Sequence, residues 1–181
     1  MLGVVFTEFT EMVESQLGVE TLDRMLSGVE QRLESGGAYT AVGTYSHSEM
    51  VVLVTELARI TGLSTDALVE QFGHHLFGRF NQRYPMFFNR IDNALDFLET
   101  VEGRIHFQVR KLYPAAQLPT FVCTRSGADT LVMEYRSSRP FAALALGLIR
   151  GCGDHFGQPL EVTSESLPKD DNGMRFTVRR R

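Results

Sequence analysis

The first half of the chain places apolar residues at the spacing of an α-helix. In residues 3–17, apolar side chains recur every three or four positions and glutamates lie between them. The same spacing predicts three further helices, over about residues 21–27, 47–61 and 64–83. The first half of the chain is therefore predicted to be helical.

Two glycines interrupt the fourth of these helices. Gly73 and Gly78 lie within an otherwise broad, aromatic helical pattern. Each costs about 1 kcal/mol relative to alanine inside a helix. Close packing against another helix or against a flat ligand would offset that cost.

Residues 91–112 carry the strongest helical pattern in the chain. At about 100° per residue, their apolar positions form one stripe. The stripe consists of Leu95, Leu98, Val101, Ile105, Val109 and Leu112. His106 lies at the edge of the stripe and is predicted to be half turned toward the core. Pro114 ends the helix.

Beyond Pro114 the pattern changes to short strands and one apolar helix. The predicted elements are strands at 118–123, 130–139, 160–163 and 175–178, a turn at 126–129, and a helix at 141–156. Helices followed by a mostly antiparallel sheet favour an α+β fold, with an N-terminal helical half and then a four-stranded antiparallel sheet with a packed helix. No repeat or linker interrupts the pattern. We therefore expect a single domain over 1–181, with a helical half at about 1–90 and a sheet half at about 91–181.

Composition and charge exclude several classes of protein. The chain has 181 residues, 43% hydrophobic and 22% charged, which is typical of a globular protein. A net charge of −4 argues against nucleic-acid binding. The first residues do not resemble a signal peptide and no apolar run approaches the length of a membrane span, so a cytoplasmic location is expected. Cys123 and Cys152 have no second Cys or His at metal-binding spacing, and we expect buried structural thiols.

Three hydrogen-bond donors alternate along the second predicted strand. Tyr135, Ser137 and Arg139 are two residues apart, so they are predicted to share one face of the strand. A phenol, a hydroxyl and a guanidinium in a row suit a ligand that carries one or two carboxylates. Alternation alone is more typical of a solvated edge strand, and a lone His106 is more often a core histidine than a metal ligand.

The Tyr-x-Ser-x-Arg pattern resembles the signature of the haem nitric oxide/oxygen-binding (H-NOX) family. The resemblance extends to Met1-Leu2-Gly3, to Pro119 thirteen residues after His106, and to Leu146-Gly147-Leu148. It implies haem b as cofactor, with His106 as the axial iron ligand. It also implies that the motif residues hold the haem propionates and that Pro119 presses on the haem.

The resemblance also indicates which gas is bound. Family members that bind oxygen have a distal tyrosine nine residues after the motif tyrosine, where this chain has Leu144. The other implied pocket residues are apolar: Val5, Phe9, Leu76, Phe80 and Leu148. NO and CO bind ferrous haem without a hydrogen-bond donor, so we expect binding of NO and CO and exclusion of O2. His74 and His75 are expected on the outer side of their helix.

The implied mechanism is a switch that a partner protein detects. In this family, NO can break the iron bond to the proximal histidine, here His106, and the haem and the two halves of the domain then rearrange. Resemblance to stand-alone bacterial members implies a histidine kinase or a cyclic-di-GMP-metabolising enzyme as the partner. The cysteine and histidine residues of a C-terminal zinc site are absent after His155, so no zinc is expected.

Three other functions remain open at this point. One is an O2-binding haem sensor, which Leu144 disfavours. Another is a haem-free domain that binds a small molecule or a protein. The third is an enzyme, but the carboxylate pairs Glu11/Glu14 and Asp170/Asp171 are typical of solvated charge and lack a nucleophile and base beside them. We therefore expect a regulatory domain without catalysis.

Overall fold

The chain divides into two compact units within its fourth helix. The computed structural model describes residues 1–168, 170 and 172–181. The units are Met1–Phe72 and Gly73–Arg181. Asp171, half of one of the carboxylate pairs, lies outside the described residues. The assignment of 1–181 to a single domain stays a prediction.

The first unit is helical, as its sequence pattern predicts. Its helices are α1 (Gly3–Leu17), α2 (Val19–Val29), α3 (His47–Thr61) and the first part of α4 (Thr65–Arg83), with a short 3₁₀ turn at Glu30–Arg32. The limits of α3 have local causes. The Ser46 hydroxyl accepts a hydrogen bond from the Ser48 amide at its start, and Gly62 ends it at φ 74°, in the left-handed region.

Aromatic and aliphatic side chains from α1, α2, α3 and α4 fill the core of the first unit. Its buried side chains include Phe6, Phe9, Met12, Met25, Leu53, Leu57, Leu68 and Phe72. Phe9 meets Phe72 edge to face, with ring centroids 5.1 Å apart. Most of the apolar helical faces that the sequence predicts are therefore buried, but Leu17 and Val51, which belong to them, are exposed.

The second unit combines the end of α4 with helices and a sheet. Its helices are α5 (Ala94–Thr100), α6 (Phe107–Leu112) and α7 (Ala142–His155), and a 3₁₀ turn covers Pro85–Phe87. Its strands are β1 (Thr120–Arg125), β2 (Thr130–Arg136), β3 (Leu160–Ser166) and β4 (Met174–Arg180). All neighbouring strands are antiparallel, in the order β1-β2-β4-β3. The α+β class with a four-stranded antiparallel sheet is confirmed.

A π-helical turn at Val101–His106 joins α5 to α6. It alters the predicted apolar stripe, because an additional residue in one turn changes the direction of every later side chain. Leu95 and Leu98 before the turn are buried, whereas Leu112 after it is 71% exposed. The prediction of one continuous stripe over 91–112 is therefore wrong at its C-terminal end.

The two glycines of α4 have different surroundings. A Cβ on Gly73 would lie 2.3 Å from the backbone oxygen of Leu144 and 3.0 Å from the Cα of Gly147, both in α7. Gly151 of α7 makes a similar contact, since a Cβ there would lie 3.0 Å from the backbone oxygen of His74. A Cβ on Gly78 would meet nothing within 4 Å. Close helix packing, one of the two predicted reasons, therefore accounts for Gly73.

We expect the Gly73→Ala and Gly78→Ala substitutions to have opposite effects on stability. Gly73→Ala forces α4 and α7 apart and should lower the free energy of unfolding by about 1–3 kcal/mol. Gly78→Ala adds helix propensity in open space and should raise it by up to about 1 kcal/mol. Urea denaturation of both variants and the wild type measures the difference. Equal effects would contradict the close contact.

Candidate functional site

His106 occupies the last position of the π turn. Its side chain is 13% exposed, and its ring lies 5.8 Å, centroid to centroid, from the ring of Phe121 on β1. π-helical turns are rare in proteins, and those that occur are often found at functional sites. The sequence predicts a His106 half turned toward the core, and the structure shows it mostly buried.

The imidazole of His106 is held by a carboxylate one turn earlier. Nδ1 of His106 lies 2.9 Å from Oε2 of Glu102. The same oxygen accepts a hydrogen bond from the Phe121 amide at 3.1 Å, and Oε1 accepts one from Arg110 Nη2 at 2.7 Å. Glu102 therefore connects the π turn to α6 and to β1.

Burial and hydrogen bonding determine the ionisation of this pair. Burial lowers the pKa of His106 below its usual range, although Glu102 and the Pro119 backbone oppose this. Burial alone would raise the pKa of Glu102, but hydrogen bonds from His106, Arg110 and Phe121 outweigh it and lower the pKa. His106 is therefore a neutral imidazole beside the ionised carboxylate of Glu102. Because an ionised carboxylate can only accept hydrogen bonds, Nδ1 of His106 carries the proton and the free lone pair is on Nε2.

This arrangement fits a metal-binding histidine. Such residues usually donate one ring N–H to a carboxylate or carbonyl and bind the metal through the other nitrogen. The residues present therefore fit an axial iron ligand at Nε2 of His106. Sequence reasoning missed Glu102, although its position four residues before His106 places both side chains on one side of a helix.

The three motif donors come together, but not as a row along one strand. β2 ends at Arg136, so the prediction of a strand over 130–139 is wrong beyond that residue. The Ser137 hydroxyl accepts a hydrogen bond from the Arg139 amide at 3.0 Å, which bends the chain before Pro140. Such local bonding competes with strand pairing.

Tyr135 lies in the core beside this bend. It is 2% exposed, and burial raises the pKa of its hydroxyl, while a hydrogen bond with the Ser137 side chain and the charge of Arg139 lower it. Its ring lies 5.5 Å from that of Phe121, which also contacts His106. Phe121 therefore connects the motif to the candidate iron ligand, a role that sequence reasoning missed.

Arg139 has a donor that none of the described residues uses. Its Nη2 donates to Oε1 of Gln117 at 2.9 Å. Its Nε is buried and has no hydrogen-bond partner in the described part of the chain. A buried guanidinium nitrogen without an acceptor suits an anionic ligand, because leaving it unpaired is costly. The motif therefore fits the haem propionates.

The predicted pocket residues are distributed over both units. Val5 and Phe9 belong to α1 of the first unit, where Phe9 is buried. The second unit holds Leu76 and Phe80 on α4 and Leu144 and Leu148 on α7. Leu76 is buried and the other three are partly exposed.

His74 is directed to the protein surface. Its side chain is half exposed, and its Nε2 lies 2.6 Å from Oδ2 of Asp154 on α7. This matches its expected outer position. His75 is half-buried.

The two cysteines are free thiols within the described residues. Burial raises the pKa of both, to about 11 for the half-buried Cys123 and higher still for the fully buried Cys152. Both are therefore protonated at neutral pH. Among residues 1–168, 170 and 172–181, no three His, Cys, Asp or Glu side chains come together as a metal site. No helix in that part of the chain has the length and apolar character needed to cross a bilayer.

Comparison with known proteins identifies similar chains. The sequence model of the Haem-NO-binding family matches residues 2–164. An unliganded Fe(II) H-NOX protein from K. algicida is 35% identical, with a TM-score of 0.92 over 100% of this chain and 97% of that chain. An IWP-051-bound H-NOX from Shewanella woodyi in the Fe(II)CO state is 36% identical, with a TM-score of 0.81 over 100% and 95%. One from S. oneidensis in the Fe(II)NO state is 21% identical, with a TM-score of 0.89 over 100% and 99%. A search of curated proteins found no match.

Proposed function

Because the chain belongs to the Haem-NO-binding (H-NOX) family of haem-based gas-sensor domains, we propose that it is a sensor of nitric oxide that excludes oxygen. The observation that carries the proposal is the pairing of His106 Nδ1 with Glu102. It leaves Nε2 as the basic atom of a mostly buried imidazole, which suits an axial iron ligand.

The residues of the motif would hold haem b by its propionates. Tyr135 and Ser137 supply hydroxyls, and Arg139 supplies a guanidinium that includes a buried, unused donor. Pro119 would press on the haem. The Pro119 backbone also raises the pKa of His106, which supports this assignment. Ferrous haem would supply an iron that binds small diatomic gases.

The proposed distal residues favour NO and CO over O2. The side chains of Leu76, Phe80 and Leu144 contain no hydrogen-bond donor, and neither does Leu148, a further proposed pocket residue. Oxygen needs such a donor more than NO or CO does, because its iron complex is more polar. Val5 and Phe9 are also proposed as distal residues, and their side chains have no hydrogen-bond donor either. The relatives in the Fe(II)CO and Fe(II)NO states are consistent with these ligands.

In the proposed switch, His106 would hold the iron, NO binding would weaken that hold, and a separate protein would detect the resulting rearrangement of the domain. NO can shift this equilibrium only by binding more tightly to one state than to the other. The family resemblance points to a histidine kinase or a cyclic-di-GMP-metabolising enzyme as the partner. The protein itself is proposed to be regulatory and to lack catalytic activity.

Absorption spectroscopy of the reduced, purified protein tests the proposal. We expect a Soret band typical of ferrous haem with one axial histidine, unchanged in air. NO should convert it to the spectrum of a haem that has lost its histidine. A protein without a Soret band, even after addition of haemin, would overturn the proposal. A change of spectrum in air would instead favour an oxygen sensor.

Leu144→Tyr tests the basis of oxygen exclusion. The tyrosine hydroxyl would supply the donor that O2 binding needs, so the reduced variant is expected to change its spectrum in air while the wild type does not. Leu144→Phe is the matched control, because it adds a ring of the same size without the hydroxyl. Oxygen binding by both variants would show that size, and not the donor, controls ligand choice.

A further inference from the structure

We propose that Glu102 is a positioning residue that determines how strongly His106 binds iron. This inference rests on the proposed role of His106 as the iron ligand. Glu102 would act through the imidazole, since its carboxylate accepts a hydrogen bond from Nδ1 of His106. It would hold the ring in one orientation and raise the basicity of Nε2.

The carboxylate accepts hydrogen bonds from three separate elements. Its donors are the His106 side chain in the π turn, the Arg110 side chain in α6 and the Phe121 amide in β1. A surface carboxylate whose only role is to pair with a positive charge does not need hydrogen bonds from three elements. Because the Phe121 amide belongs to a paired strand, it fixes Oε2 relative to the sheet. The imidazole is therefore oriented by the sheet as well as by its own helix.

The two oxygens of Glu102 have different partners. Oε2 accepts from His106 and Phe121, whereas Oε1 accepts from Arg110, whose side chain is partly exposed. Arg110 withdraws negative charge from the carboxylate and so weakens its attraction for the imidazole proton. Glu102 should therefore strengthen the iron–histidine bond, and Arg110 should weaken it.

The neutral variant Glu102→Gln separates the effect of the carboxylate charge on His106 from the effect of the side-chain shape. Glutamine is isosteric, and its one carbonyl oxygen can still accept from His106 and Phe121. The exposed Arg110 side chain can move away from the new amide. The orientation of the ring should persist, while the basicity of Nε2 falls.

Resonance Raman spectroscopy of the ferrous, unliganded protein provides the measurement. We expect the iron–histidine stretching band to shift to lower frequency in Glu102→Gln and to higher frequency in Arg110→Gln. Haem loss to excess apomyoglobin should be about 10-fold faster in Glu102→Gln, as is typical when such a partner is removed. In Glu102→Asp, which keeps the negative charge, the band should lie between those of Glu102→Gln and the wild type.

Glu99→Gln is the matched control. Glu99 lies on α5 and pairs with Arg125 Nε at 2.9 Å on the surface. The Glu99→Gln substitution removes a glutamate charge from the same region without touching His106, so the iron–histidine stretching band should not move. Far-UV circular dichroism of all variants verifies that they fold.

Two outcomes would overturn the inference. One is an unchanged band in folded Glu102→Gln. The other is a shift in the same direction for Glu102→Gln and Arg110→Gln, which would indicate a general disturbance. A His106→Gly variant separates these from failure of the proposed function. If its spectrum equals that of the wild type, His106 does not bind iron and the wider proposal fails as well.

Discussion

Replacement of His106 with glycine is expected to lower the haem content of the purified protein by more than about 10-fold. A change in a residue that only supports a metal ligand typically costs 10–100-fold in affinity, and loss of the ligand itself should cost at least as much. The glycine also opens space for a free imidazole. Added imidazole should therefore restore haem binding and the ferrous spectrum, measured as the ratio of Soret to protein absorbance.

A control for helix stability accompanies this experiment. Gln108 is an exposed residue of α6, two positions after His106. Gln108→Gly carries a similar helix penalty of roughly 0.5–1 kcal/mol but removes no proposed ligand. It should keep its haem. Loss of haem from both variants, or failure of imidazole to rescue His106→Gly, would speak against a direct bond between His106 and iron.

Replacement of Arg139 with methionine is expected to weaken haem binding by about 10- to 100-fold. Hydrogen bonds to charged groups contribute about 1.5–3 kcal/mol, and each 1.4 kcal/mol corresponds to a factor of ten. Arg139 has a buried Nε without an acceptor among the described residues, so a propionate would satisfy it. The rate of haem transfer to apomyoglobin, compared with the wild type, measures the loss.

Arg136→Met is the matched control for Arg139. Arg136 is the last residue of β2, and its half-exposed side chain pairs with Asp170 at 3.2 Å and Glu134 at 3.4 Å on the surface. Its loss should leave haem transfer unchanged. Arg139→Lys should be intermediate, because lysine keeps the charge and loses the planar fork of donors. Equal haem loss from Arg136→Met and Arg139→Met would contradict specific binding by Arg139.

The sequence predicts the regular elements where local signals are strong. The predicted helices 3–17 and 47–61 coincide with α1 and α3, because periodic apolar residues and flanking glycines mark their ends. The antiparallel sheet is also confirmed, since the strand pattern around residues 126–129 specifies a hairpin. The family match confirms the resemblance that was based on a few spaced residues.

The errors lie where non-local forces override periodicity. A π turn is not visible as a pattern, so the exposure of Leu112 could not be predicted from a helical wheel. β2 ends early because the Ser137 hydroxyl accepts from the Arg139 amide, a bond that strand alternation does not reveal. The roles of Glu102 and Phe121 depend on β1 meeting the π turn, a long-range contact that one sequence does not specify.

The contact of Gly73 with the backbone of α7 limits how this part of the protein can change during evolution. Most helix contacts are made by side chains, and a loss of volume at one position can be compensated by a gain at another. At Gly73 all the nearest atoms are backbone, so no side chain is available for such compensation, and at Gly151 the backbone of His74 lies beside the Cβ of Phe77. We expect a saturation mutagenesis library to be depleted of every substitution at these two positions, while Gly78 on the same helix accepts many residues.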